Sequence, residues 1–333
     1  MKTILVKAVA ARESGAMTIL KEFLRSSATA RENRYVFLTG SVPENKQIQC
    51  IPVPAAQRGM LHRLWFDLFG IRKILKAVRP DEILSLDNLT VPFTRIPQTL
   101  YLQCVIPFFR DKWRLSESPR LWLYRYPMKP LIIHSVRKAR KVIVQTEWMK
   151  GLCAAACRTD ESRFLVRPPY AGVREQNLWQ GTARFFYPAT AYPYKNHAVL
   201  FRALKALGKC APEIRLTLTE EALSAFGAAY GDVKTHVTAL GVLNTEAMRR
   251  EYLSSVLVFP SRMESYGLPL KEARLLGAPI LAADTPFARE VLSGYERARF
   301  FPPEDENALA NLMISFRKEH AHASGDPANP QKA

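Results

Sequence analysis

The chain has no apolar run that approaches the roughly 18 residues of a membrane-spanning helix, because Lys, Arg or Pro cuts every long candidate among its 333 residues. It is therefore not expected to cross a bilayer. The start of the chain is also a poor signal peptide: Lys7 splits the apolar stretch and Arg12-Glu13 follow directly, so Thr3 to Val9 reads as a buried strand. Cysteine is scarce and odd in number, with Cys50, Cys104, Cys153, Cys157 and Cys210 and no Cys-x-x-Cys pair. This argues against a disulfide framework or a thiolate zinc site and for reduced thiols. Neither a His-Glu-x-x-His motif nor a Gly-x4-Gly-Lys-Ser/Thr phosphate loop occurs.

Acidic residues are sparse in one half only. Lys and Arg number 48 against 30 Asp and Glu, a formal net charge of +18. Residues 1–170 hold 29 basic and 13 acidic side chains, leaving 19 and 17 for residues 171–333. An excess of 16 against 2 implies an anionic partner for the first half and different electrostatic tasks for the two halves. Length and asymmetry together predict two domains, 1–170 and 171–320, joined by the Pro, Gly and polar stretch from Arg167 to about Thr182. The last segment, 321–333, is small, polar and Pro-containing and is expected to be a disordered tail.

Strand and helix patterns alternate along both halves. Ile4-Leu5-Val6 leads through a Ser14-Gly15-Ala16 turn into an amphipathic helix from Met17 to Leu24. Tyr35 to Thr39, Glu82 to Leu86, Thr99 to Leu102 and Lys141 to Gln145 read as short buried strands, and Met60 to Val78 as a strongly amphipathic helix. The pattern restarts with strands at Arg184 to Tyr187, Ile214 to Leu218, His236 to Leu240 and Val256 to Phe259, and helices at about Ala198 to Leu207 and Glu246 to Leu253. Such alternation predicts an α/β protein of two doubly wound parallel sheets facing across a cleft, with ligands at the carboxyl ends of the strands.

The chemistry is concentrated in residues 259–280, Phe-Pro-Ser-Arg-Met-Glu-Ser-Tyr-Gly-Leu-Pro-Leu-Lys-Glu-Ala-Arg-Leu-Leu-Gly-Ala-Pro-Ile. Pro269 suits the opening of a helix. That places Glu264 in the preceding loop and Glu272 in the helix. The amides of Tyr266, Gly267 and Leu268 then lack intrahelical partners and form a phosphate cradle with the helix dipole behind them. An ionised carboxylate only accepts hydrogen bonds, so two of them flanking the cradle suit the hydroxyls of a sugar or ribose.

This segment resembles the glutamate-x7-glutamate motif of retaining glycosyltransferases of the GT-B fold, family 4. The resemblance extends to Arg184 through His197, Ala239-Leu-Gly-Val-Leu, Val142-Ile-Val-Gln-Thr-Glu-Trp and the Gly15 loop, and is closer in the C-terminal half. It implies that Glu272 binds the nucleotide ribose and Glu264 a donor-sugar hydroxyl, with the Tyr266, Gly267 and Leu268 amides near the phosphates. It also implies that Lys195 neutralises the diphosphate leaving group and that Gly15 lets the first loop approach the donor. A cation on a cleft loop stabilises a departing diphosphate without a metal, and no Asp-x-Asp metal motif of the other main glycosyltransferase fold is present. Neither a metal nor a cofactor is expected beyond a nucleotide diphosphate sugar as co-substrate.

Two positions depart from the family pattern. Where many members carry a second diphosphate cation, this chain has Pro188-Ala189-Thr190. The N-terminal position that is often a His is Gln103, which can bind a hydroxyl but cannot act as a base.

The basic half has a reading of its own. Residues 110–141 hold ten Lys and Arg interleaved with Trp113, Trp122, Tyr124 and Tyr126, and the helix Met60 to Val78 sets Arg63, Arg72, Lys73 and Lys76 beside Trp65, Phe66 and Phe69. Cations mixed with aromatics suit an anionic membrane interface. The combined expectation is hexose transfer from a nucleotide sugar to a lipid-linked saccharide in bacterial surface polysaccharide biosynthesis, by a cytoplasmic enzyme peripheral on the inner face of the membrane. A nucleotide-sugar epimerase of the same fold and a basic nucleic-acid-binding protein are the alternatives. Nucleic acid is the weaker partner, since no RNA- or DNA-binding module pattern appears.

Overall fold

The computed structural model describes all residues except 12–13, 31, 41, 44, 170–174, 182–183 and 325–333, and the backbone alone of residues 14, 60 and 321–324. The chain divides into two units, residues 1–170 and 171–333.

The first unit is built on seven strands: β1 (Lys2–Lys7), β2 (Asn33–Thr39), β3 (Ile48–Pro52), β4 (Glu82–Ser85), β5 (Gln98–Tyr101), β6 (Lys141–Val144) and β7 (Phe164–Val166). All pairings are parallel and the spatial order is β3-β2-β1-β4-β5-β6-β7. A parallel sheet is covered on both faces, and the strands divide their side chains accordingly. Val6, Phe37 and Leu84 face one core with Ile19, Leu20 and Phe23 of the helix Ser14–Thr29. Leu5, Val36, Leu38 and Ile83 face the other with Phe66, Ile71, Ile74, Leu75 and Val78.

That second cover is the helical segment expected from Met60 to Val78. It is helical throughout, but in three pieces: an α turn Met60–Trp65, a π turn Phe66–Gly70 and an α-helix Ile71–Val78. Gly70 permits the wide turn, since a Cβ there would stand 2.8 Å from the Phe66 ring.

Where the strand order reverses, between β1 and β4, a charged cluster is buried. Lys7 at the end of β1 is fully buried and lies 2.8 Å from Asp67 and 3.6 Å from Asp87. Asp87 also accepts the backbone N–H groups of Val9 (3.1 Å) and Ala10 (2.9 Å), and Arg63 donates to its carbonyl. The lysine that argued against a signal peptide thus ties the chain leaving β1 to the loop after β4.

The second unit repeats the plan with six parallel strands: β8 (Phe185–Tyr187), β9 (Ile214–Leu216), β10 (Val237–Ala239), β11 (Val256–Phe259), β12 (Ile280–Ala283) and β13 (Ala298–Phe301). Their order is β10-β9-β8-β11-β12-β13. β8, β11 and β12 are buried at every residue, as central parallel strands are. Residues 175–181 pack on this unit, with Gln176, Leu178 and Gln180 donating to the carbonyls of Leu275, Leu276 and Leu253. The C-terminal helix, Glu306–Ser324, runs into the segment expected to be a disordered tail, because Leu309, Ala310, Met313 and Phe316 are buried and carry the helix along the unit. Only residues 325–333 of that tail lie outside the described residues.

Candidate active site

The strand order is 3-2-1-4-5-6 in the second sheet and the same with a seventh strand added in the first, and for such an order ligands are expected outside the carboxyl ends of the strands flanking the reversal. In the second unit those strands are β8 and β11. They are adjacent and parallel, with Phe186 opposite Leu257, so the loops that follow Tyr187 and Phe259 leave the same edge. These loops carry Lys195 and Glu264.

The structure brings the two together. Lys195 Nζ lies 2.5 Å from Glu264 Oε1, and both side chains are largely shielded, at 13% and 15% exposure. Ser261 Oγ donates to the same carboxylate oxygen at 2.8 Å. Around this pair the loops are stitched at the backbone. Arg262 N–H donates to the Tyr194 carbonyl at 2.9 Å, Tyr187 Oη to the Lys195 carbonyl at 2.7 Å, and Asn196 Nδ2 to the carbonyls of Pro303 (2.7 Å) and Pro260 (3.3 Å). Asn196 adopts a left-handed conformation at φ 58°, which Asn tolerates better than most residues, and it ends the loop where the helix His197–Leu207 starts. The lysine and glutamate are thus held before any ligand arrives.

Beneath Lys195 the His197 ring is buried among Tyr187, Phe201 and Phe226, with no partner on either ring nitrogen. Burial, with the Lys195 charge in support, pushes its pKa down to about 3. The ring is neutral at physiological pH, a packing element rather than a proton donor.

The helix after Glu264 is Leu268–Leu275, with Pro269 in its first turn, Gly267 at its cap and no side-chain cap hydrogen bond. Gly267 sits at φ 85°, and a Cβ there would crowd Leu270 at 3.2 Å and Phe287 at 3.4 Å. The positive φ favours glycine, and the tight Leu270 contact adds to that preference. The Tyr266, Gly267 and Leu268 backbone therefore enters the helix where its N-terminal amides lack intrahelical acceptors. Tyr266 shares its face with Lys271, whose Nζ is 5.4 Å from the ring. Glu272, one helical turn beyond Leu268, accepts from Tyr252 Oη at 2.8 Å. Burial pushes the Glu272 carboxyl above its usual range, opposed by the Tyr252 hydrogen bond.

Gly15 and Gln103 belong to the first unit. Gly15 lies in the first turn of the helix Ser14–Thr29 rather than in a turn before it. Gln103 follows β5, where its Nε2 donates to the Leu86 carbonyl at 2.8 Å. Its backbone N–H and that of Cys104 donate to Asn88 Oδ1 at 2.6 and 3.1 Å, with Asn88 held left-handed at φ 64°. Among the described residues no group of three or more His, Cys, Asp or Glu side chains is arranged to hold a metal, and no helix is long and apolar enough to cross a membrane.

Residues 173–324 match the family model of the glycosyl transferases group 1. Solved structures similar over nearly the whole chain include a sucrose-phosphate synthase from Thermosynechococcus elongatus, with TM-score 0.71 and 14% identity over 97% of this chain and 90% of that one. HepE from Anabaena, solved with UDP-glucose, gives TM-score 0.68 and 15% identity over 96% and 91%. The fold is GT-B. A third GT-B structure, WaaG, a glycosyltransferase involved in lipopolysaccharide biosynthesis, gives TM-score 0.66 and 15% identity over 97% and 96%. No curated protein sequence matches the chain.

Sequence reasoning missed Ser261, Tyr187, Asn88 and Tyr252, which hold the named side chains or the loops that carry them. The contacts of Asn88 and Tyr252 span two separate loops or helices, and that of Tyr187 joins a strand end to its own loop eight residues on, so no motif spacing announces them. Ser261 stood inside the motif, three residues before Glu264, and its hydroxyl at that spacing was the available signal.

Proposed function

We propose that the protein is a retaining, metal-independent glycosyltransferase of family 4. It moves a hexose from a nucleotide diphosphate sugar onto a lipid-linked saccharide in bacterial surface polysaccharide assembly, at the cytoplasmic face of the membrane. The carrying observation is the Lys195–Glu264 pair, held 2.5 Å apart beside an uncapped helix start in the unit that matches glycosyl transferases group 1.

In this reading the C1–oxygen bond of the donor breaks with its electron pair on the diphosphate. The acceptor hydroxyl then bonds C1 and passes its proton to an oxygen of the departing diphosphate. Lys195 and the Tyr266, Gly267 and Leu268 amides stabilise the charge that grows on the diphosphate, an interaction strongest in the transition state. Glu264 accepts from a sugar hydroxyl and orients Lys195 as well. Glu272 accepts from the ribose, with Tyr252 fixing its carboxylate. Gln103 binds a hydroxyl, and Gly15, in the first turn of its helix, contributes to donor binding. The likeness to WaaG supports a saccharide on a lipid as acceptor, and the basic first unit supports an anionic surface around it.

Incubation with a panel of nucleotide sugars, starting from UDP-glucose, tests the reading. Release of nucleoside diphosphate that persists in chelator is the expected result. A sugar isomer formed without release identifies an epimerase instead. No turnover of any donor, together with tight nucleic-acid binding, refutes the transferase.

A further inference from the structure

The two segments that interleave cations with aromatics differ in what they do with their rings. In the segment 110–141 Trp113 is buried, Trp122 and Tyr124 are half-buried and only Tyr126 of the four named rings is exposed, at 42%. That corrects the expectation that Trp113 contributes to a surface. The helical segment from Met60 to Val78 has two apolar faces. One packs on the sheet through Phe66, Ile71, Ile74, Leu75 and Val78. The other carries Leu61, Trp65, Leu68 and Phe69, which are 80%, 62%, 36% and 53% exposed.

Spacings of three and four residues place these four side chains along one stripe. The Trp65 and Phe69 rings are 6.1 Å apart. The Arg72 guanidinium lies 5.8 Å from the Phe69 ring and 5.6 Å from that of Phe93, which is 78% exposed in the loop between β4 and β5. Five large apolar side chains are thus gathered on the surface of a unit whose core does not use them.

The charge around them has one sign. Arg58, Arg72, Lys73, Lys76, Arg79 and Arg95 are exposed. The only acid from Arg58 to Arg79 is Asp67, and it is buried against Lys7. Nucleic acid would engage the cations but offers Leu61 and Leu68 nothing. A bilayer of acidic lipid answers both, with acyl chains for the stripe and headgroup phosphates for its rim.

We propose that this face, Leu61, Trp65, Leu68, Phe69 and Phe93 rimmed by Arg58, Arg72, Lys73 and Lys76, is the surface by which the first unit docks on an anionic lipid bilayer. It deepens the reading of a lipid-borne acceptor and rests on that reading for its purpose, while its contacts are independent of the transfer chemistry.

The test uses the full chain with vesicles of phosphatidylglycerol and phosphatidylethanolamine, against phosphatidylcholine alone, at about 0.1 M salt. The wild type should sediment with the acidic vesicles only. Arg58→Gln/Lys73→Gln/Lys76→Gln should weaken partitioning by about a hundredfold, and Trp65→Ser/Phe69→Ser should remove the part that resists salt. Brominated lipid should quench wild-type tryptophan fluorescence and leave Trp65→Phe nearly unquenched. Quenching that persists in Trp65→Phe, or binding indifferent to the variants, overturns this face. So does tighter binding of duplex or single-stranded nucleic acid at the same salt, or a dimer that Trp65→Ser dissociates.

Donor turnover measured on the same samples separates the two readings. Turnover without the described docking rejects the face and leaves the transferase standing. Docking as described without turnover of any nucleotide sugar supports the face and rejects the transferase.

Discussion

Lys195 and Glu264 should behave as one unit, and a double-mutant cycle measures it. Lys195→Met leaves the Glu264 carboxylate largely shielded, with Ser261 Oγ still donating to it at 2.8 Å. Breaking a fully buried pair costs about 3–5 kcal/mol, and an exposed pair is worth about 0–1. At 13% and 15% exposure the loss should fall between them, about 2 kcal/mol in denaturant unfolding. Glu264→Gln in the Lys195→Met background removes the stranded charge and should restore most of it. On activity the lysine acts where diphosphate charge develops, so Lys195→Met should lower kcat/KM by about a hundredfold or more. Glu264→Gln leaves the lysine charged but unanchored and should lower turnover more than donor affinity.

The double variant should then lose little beyond the worse single one, a coupling of about 1–3 kcal/mol. The assay is initial-rate release of nucleoside diphosphate over a range of donor concentrations, alongside unfolding of the same four proteins. If the single effects on kcat/KM add to within about 0.5 kcal/mol, the two residues act independently and their contact carries no function. If Lys195→Met costs less than about tenfold, or about 1.4 kcal/mol, another group neutralises the diphosphate.

Glu272 must be ionised to accept from a ribose, and burial raises its pKa. Nucleotide affinity should therefore fall on acidification at a higher pH than an ordinary carboxylate would allow, and calorimetry should find that component absent in Glu272→Gln. His197, at about 3 in the folded protein against about 6.5 unfolded, binds a proton only on unfolding between those values. Its contribution to stability is complete above pH 6.5 and is lost as pH falls, by about 1.4 kcal/mol per pH unit. His197→Leu should lack this slope, so parallel unfolding profiles for the two proteins would contradict the buried, unpartnered ring. Lys7→Met strands Asp67 and Asp87 in the first-unit core and should cost about 3–5 kcal/mol, read by denaturant unfolding; a loss under about 1 kcal/mol would show that Arg63 suffices.

The doubly wound plan was legible because buried parallel strands announce themselves as short apolar runs. Val256 to Phe259 has the same bounds in sequence and structure. Ile48–Pro52 and Phe164–Val166, at the outer ends of the first sheet, and Ile280–Ala283 and Ala298–Phe301 of the second are strands that the sequence reading leaves out. Three of these are short and partly exposed, so the periodicity that marks a strand is weak there, while Ile280–Ala283 is buried throughout but spans only four residues, two of them alanine. Within the site, residue types at fixed spacing pointed to Glu264, Glu272 and the helix entry. Lys195 came from a neighbouring loop, and only the adjacency of β8 and β11 explains why that lysine meets that glutamate. Spacing along a chain encodes what one loop or helix presents. What two loops share depends on strand order, and no local pattern records it.

The helical segment from Met60 to Val78 shows the same boundary from the other side. Its apolar residues exceed what one face requires, so the 3.6-residue period identifies a helix without saying which stripe is buried. The sheet decides: Phe66 and Ile71 reach the core shared with Leu5 and Ile83, and the π turn between them sets the register of everything that follows. Leu61, Trp65, Leu68 and Phe69 are what remains once the core is satisfied. An apolar stripe left over after folding costs solubility unless something covers it. The absence of any exposed acid from Arg58 to Arg79 gives that cover a sign as well as a polarity. The cation excess of the first half thus gains a location that composition could not supply.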